Sequence, residues 1–219
     1  MIESGDQVQD SFSGEGYGVR AVLDPAILDA IREANGAFLS LLAARAQVAA
    51  GEAVYGLEAG CAARTMALGD AARRLAASCP YTLFDLRFDD APFWQGDVRA
   101  SGSAGSACAS DEATFARTAI FLAWHLVRSS SLQASLALGM GRPAQDAWRV
   151  LPLSALDSAA TLSLPHLTAR WGERVGYWSK LLVGTSEPDA RLDAARRLGL
   201  QLLAADGMHP RLVRPERNG

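Results

Sequence analysis

The sequence predicts an all-α fold made of two tandem helical units followed by an extra C-terminal helix. Three observations predict it. Apolar residues recur at helical rather than alternating spacing along most of the 219 residues. Residues also match at a constant offset of 83, as a duplicated module would show: Phe38/Phe121, Leu39/Leu122, Arg45/Arg128, Gly56/Gly139, Leu68/Leu151, Ala76/Ala159, Ala77/Ala160 and Arg87/Arg170, with Phe88/Trp171 and Trp94/Tyr177 as near matches. The matched stretches are separated by a small, polar, Gly/Ser-rich run of linker composition.

Taken in order, residues 1–23 read as a polar, Gly-rich arm. The first unit spans 24–95. Asp24 followed by Pro25 is a helix start, because the carboxylate accepts from orphan N–H groups and proline needs no donor there. Ile27, Ile31, Ala34, Phe38, Leu41 and Leu42 then set one apolar face to about Ala50. A shorter helix is expected from Gly51 to Gly60 and another from Ala62 to Ala77, stopped by Cys79-Pro80. Leu83, Leu86, Phe88, Phe93 and Trp94 have short-strand character.

Residues 96–111 form the linker, and the second unit spans 112–184. Phe115, Ile120, Phe121, Trp124 and Val127 describe the face of a second long helix, interrupted at Ser129-Ser130-Ser131. A shorter helix runs to Gly139, Arg142-Pro143 opens the next, and Pro152-Leu153-Ser154 opens another, with Ser154 and Asp157 spaced as a capping pair. Residues 185–219 hold the last helix, with Leu192, Ala195, Leu198, Leu202 and Leu203 in register, and a basic tail.

Composition narrows the function classes. Formal charge is −3 with a pI near 5.6, which argues against a strong intrinsic field for phosphate backbones. Cys61, Cys79 and Cys108 are odd in number and lack C-x-x-C spacing, and the N-terminal residues lack signal-peptide character, so a cytoplasmic location is expected. No apolar run is long enough to span a membrane.

The run Leu138-Gly139-Met140-Gly141, Asp146-Ala147-Trp148, Leu151-Pro152-Leu153, Ala160 and Arg170-Trp171 resembles the bacterial flagellar transcriptional regulator FlhD. The first half supplies Ile31 to Asn35, Phe38-Leu39, Leu41-Leu42, Arg45, Leu75-Ala76 and Leu86-Arg87-Phe88-Asp89 in the same order. The resemblance implies two FlhD-like units forming a pseudo-two-fold internal dimer within one polypeptide, where the linker holds each half at high effective concentration near the other. No phosphate-loop order, Ser-His-Asp set or zinc-ligand spacing is present, so a non-enzymatic protein without cofactor or metal is expected. Its partner would be a transcription factor or a zinc-containing FlhC-like subunit, with DNA reached only through that complex and further self-association left open. The sequence departs from that family at Leu83-Phe84-Asp85 and His166-Leu167-Thr168, where FlhD carries a dimer-linking cysteine, and at Trp171-Gly172, which replaces Phe-Asp.

Two sets of contact residues follow. Arg87, Phe88, Phe93 and Trp94 in the first half, and Arg170, Trp171, Arg174, Tyr177 and Trp178 in the second, combine the residue types favoured at interface hot spots, and they serve equally to close the core or the seam between halves. Ser131 to Val150 has the cadence of a helix-turn-helix, which would present Arg142, Gln145 and Arg149 to DNA. Asp146 among them favours an ordinary exposed helix face instead. Asp85, Asp89 and Asp90 are the densest acidic cluster, readable as a carboxylate site for an enzyme or as structural partners of Arg87. His125, beside Trp124 on an apolar helix, reads as a packed or partly exposed histidine, and His166 and His209 have no carboxylate or cysteine at ligand spacing for zinc. The alternative within binding proteins is an antiactivator that sequesters a transcription factor, such as a quorum-sensing receptor.

Overall fold

In the computed structural model, residues 23–49, 51–96, 110–185 and 189–208 are described. The N-terminal arm up to residue 22, most of the linker and the basic tail lie outside them.

Helix α1 (Pro25–Val48) begins as its sequence dictates: the Asp24 carboxylate accepts from the Ala26 N–H at 2.8 Å and Pro25 occupies the first turn. Its buried face is Ile27, Leu28, Ile31, Ala34, Asn35, Phe38, Leu39, Leu42 and Ala46. The expected helix over Gly51 to Gly60 is absent. Gly51, Tyr55 and Gly56 all have positive φ, so the chain turns back on itself and Val54 bridges Leu57.

The expected helix from Ala62 to Ala77 is two, α2 (Ala59–Met66) and α3 (Asp70–Ala77). Gly69 is extended between them, and the break lets both helices pack on α1. Strand β1 (Phe84–Asp85) follows, and Pro92, Phe93 and Trp94 belong to a short helix, α4 (Ala91–Gln95), capped by Asp90.

The second half follows a similar order, with an added helix where the first half turns back at Gly51 to Leu57. Helix α5 (Asp111–Ser129) is capped by Ser110, α6 (Ser131–Leu138) by Ser130, and Gly139 ends α6 in the left-handed region. Helix α7 (Arg142–Arg149) matches α2 at the offset of 83. A 3-10 turn (Leu153–Ala155) leads into α8 (Leu156–Ser163), so Ser154 and Asp157 do not form the expected capping pair; Ser154 lies inside the turn and no side chain caps α8. After a second 3-10 turn (Leu164–His166) come strand β2 (Thr168–Ala169), α9 (Val175–Gly184) and α10 (Asp189–Met208).

From the strands onward the offset is 84. Arg87 (φ 60) corresponds to Trp171 (φ 54), and Trp94 corresponds to Trp178 rather than Tyr177. In the long helices the buried positions recur at 81: Ala34, Asn35, Phe38, Leu39, Leu42 and Ala46 against Phe115, Ala116, Ala119, Ile120, Ala123 and Val127. The letter match Phe38/Phe121 is therefore not a structural one. Phe38 is fully buried, and Phe121 is 42% exposed, off the face assigned to it.

One apolar core runs through both halves. α1 packs on α5, α4 of the first half packs on α7 of the second, and α9 of the second packs on α2 of the first. The strands pair antiparallel, Phe84 with Ala169 and Asp85 with Thr168, so each residue faces its counterpart's neighbour.

Candidate protein-contact site

The aromatic residues expected at a contact surface are buried. Phe88, Phe93, Trp94, Trp171, Tyr177 and Trp178 are each at most 5% exposed, as is Arg170. Trp94 lies 4.2 Å, centroid to centroid, from Trp148, whose indole N–H donates across the halves to the Phe88 carbonyl at 3.2 Å. Trp94 and Trp178 make similar local bonds, each donating to the loop before its helix, at Arg87 O (2.7 Å) and, one residue out of register, Arg170 O (2.9 Å). These side chains form the seam between halves, the second role the sequence allowed them. Arg87 is half-buried, joined to Asp90 and placed over Phe93, while Arg174 is exposed.

The acidic cluster holds backbone. The Asp85 carboxylate accepts from Phe88 N, Asp90 caps α4, and Asp89 accepts from Gly141 N at 2.6 Å across the halves. Two eight-residue helices flank Gly139-Met140-Gly141, where the sequence has the helix-turn-helix cadence. Gln145, however, is 3% exposed and donates to Ser131 O, Ser135 Oγ and Met140 O, so its amide holds the turn together and does not reach a groove. Arg149 is exposed but bonded to Asp146 and Ser131; Arg142 is exposed.

Sequence reasoning missed Asn35. Fully buried on α1, it donates to Ala77 O and Tyr81 O and accepts from Leu83 N, tying α1 to α3 and to the approach to β1. Its signal was a polar residue on an apolar helical face. Also missed was the Cys79, Tyr81 and Tyr177 group under α10. The two hydroxyls lie 3.1 Å apart, and Tyr81 donates to Arg196 O. Burial pushes the Cys79 thiol up to about 11 and raises both phenols, which Cys79 then reinforces.

The surface left for a partner is elsewhere. A groove of about 610 Å³ follows the α1–α5 pair, and its lining is mainly apolar, with Ala37, Leu41, Phe115 and Leu122 beside Ser40 and Thr118. Large apolar side chains reach solvent at Phe121, Val150 and Leu153, among others. Among the described residues no helix is long and apolar enough to cross a membrane, and no group of His, Cys, Asp and Glu is arranged to hold a metal ion. Neither a family model nor a curated protein nor a solved structure matches this chain.

Proposed function

We propose that this chain is a non-enzymatic regulatory protein acting through protein contacts, a single-chain counterpart of a dimeric FlhD-like transcriptional regulator. The observation that carries it is reciprocal packing: α4 lies on α7 while α9 lies on α2, about an antiparallel strand pair that joins the halves. Packing of this reciprocal kind is what a two-fold dimer joined into one polypeptide would have. A duplicated frame of this kind is a scaffold for presenting surfaces, and the unequal surface residues of its halves suit a partner of another kind. The working location is the cytoplasm.

The direct test is affinity capture from the native cytoplasm, then electrophoretic shift of the captured regulator's promoter DNA with and without the full chain. A ternary shift supports the subunit reading. Capture of no DNA-binding regulator, or an unchanged DNA complex, overturns it. The antiactivator reading is favoured by one feature of the α6–α7 pair, the burial of Gln145 together with the neutralisation of Arg149 by Asp146, which leaves that face poorly supplied for DNA. In that case the chain abolishes the regulator's shift and contributes none of its own.

A further inference from the structure

We propose that the second half alone carries a docking strip, Phe121, Trp124, Val150 and Leu153 with Arg128 at one end, for an acidic amphipathic helix of another protein. The proposal rests on the protein-contact reading above and names its surface and partner. Residues 117, 121, 124 and 128 of α5 lie on one side of the helix by their spacing. Along that side Arg117 meets Asp157 at 3.6 Å, the Trp124 indole donates to Leu151 O at 3.0 Å, and Arg128 donates to Arg149 O at 3.1 Å. The segment from Arg149 to Asp157 thus passes α5 in the opposite direction. It sets Phe121 between Arg117 and Trp124, level with the 3-10 turn that carries Leu153. Phe121 is 42%, Val150 53% and Leu153 58% exposed.

The fold does not require this strip. In the first half the corresponding residues are Ser40, Ala43 and Gln47 on α1 and Ala67 and Asp70 beyond α2. There Gly36, Ser40 and Asp70, the counterparts of Arg117, Phe121 and Leu153, line one polar hollow with Arg32, Arg73 and Arg74. In the first half those three positions are thus neighbours in space. The same frame therefore stands with a polar, mixed-charge surface on one side and an apolar one on the other. Contiguous exposed apolar surface of this kind is characteristic of contact sites, and tryptophan and arginine are the residues that anchor them.

Charge selects the occupant. Arg117 and Arg149 are neutralised by Asp157 and Asp146, whereas Arg128, stacked 4.8 Å over the Trp124 ring, has no carboxylate in ion-pair range among the described residues. A second copy meeting the strip with its own strip would bring only Asp146 and Asp157, both already paired. A partner helix with an apolar stripe over two or three turns and a free Glu or Asp near Arg128 satisfies both the apolar and the charged features. Because the first half lacks the strip, such a helix binds at one site per chain.

The probe is a displayed library of amphipathic helices of about 18 residues whose flanking positions vary between Glu and Lys, selected on the full chain. Glu-rich helices should be enriched, and a synthetic peptide of the leading sequence should bind one site per chain. Phe121→Ser and Leu153→Ser should each weaken it about 10-fold, with the far-UV circular dichroism unchanged. Arg128→Glu should weaken it to a similar degree and turn the selection toward Lys, while Asp70→Asn changes nothing. No enrichment, Lys-rich winners, two sites per chain, or indifference to these variants overturns the proposal. So does a dimer in sedimentation that Phe121→Ser returns to monomer, which would put a second copy on the strip. If the chain alters a regulator's DNA complex and Phe121→Ser and Arg128→Glu do so equally, the strip fails while the regulatory reading stands.

Discussion

The ring of Tyr81 lies against the α-carbon of Gly199, so close that a methyl group there would overlap the phenol oxygen. This contact seats α10 on the first half. Tyr81 is fully buried and bonded to Tyr177 and to the Arg196 carbonyl, so it has no room to retreat. Gly199→Ala, which in an exposed helix would stabilise, should here cost about 1–3 kcal/mol by overpacking. Thermal unfolding measures the loss, and hydrogen exchange should localise it to α10. An unchanged melting temperature would show that α10 shifts freely on its seat.

Asn35 is the buried polar link among α1, α3 and the loop leading to β1. Removing it leaves the Leu83 N–H and the Ala77 and Tyr81 carbonyls without their bonds to its side chain in an apolar core. Asn35→Ala should cost about 2–4 kcal/mol in denaturant unfolding. A cost near zero would mean that water enters and replaces the amide.

The two phenylalanines that match in letters should behave oppositely. Phe38 touches the rings of Tyr55, Phe84 and Phe115, and Phe38→Ala should cost about 3–5 kcal/mol. Phe121→Ala, at an exposed site, should stay within about 0.5 kcal/mol. Equal losses would restore the offset of 83 as the structural register of the long helices.

Stability should fall at alkaline pH. Burial raises the Cys79 thiol from 9.0 to about 11, so the unfolded chain loses this proton before the native one does. The native advantage is complete below pH 9 and erodes as pH climbs to about 11, by about 2–3 kcal/mol for this thiol. Tyr81 and Tyr177, raised in the same direction, extend the decline above pH 10. Denaturant titrations from pH 7 to 11 should show this fall, and Cys79→Ala should make it shallower. In the native protein at pH 8 the thiol should resist alkylation; rapid labelling there would contradict its burial.

What local chemistry controls was legible in the chain. The Asp24-Pro25 start, the interruption at Ser129-Ser130-Ser131, the helix end at Gly139, the stop at Cys79-Pro80 and the helical apolar faces each depend on residues within a turn or two of one another, and the structure has them. The register of one helix pair was legible too, since α2 and α7 keep the offset of 83. Tertiary packing decided the rest. Whether Trp94 and Trp178 face solvent or the other half depends on α4 reaching α7 and α9 reaching α2, which no local pattern encodes. The break before Gly69 answers to the need of α2 and α3 to lie on α1 together. The register of α5 against α1 follows buried volume rather than matching letters, and so it sends Phe121 outward while Phe38 points in.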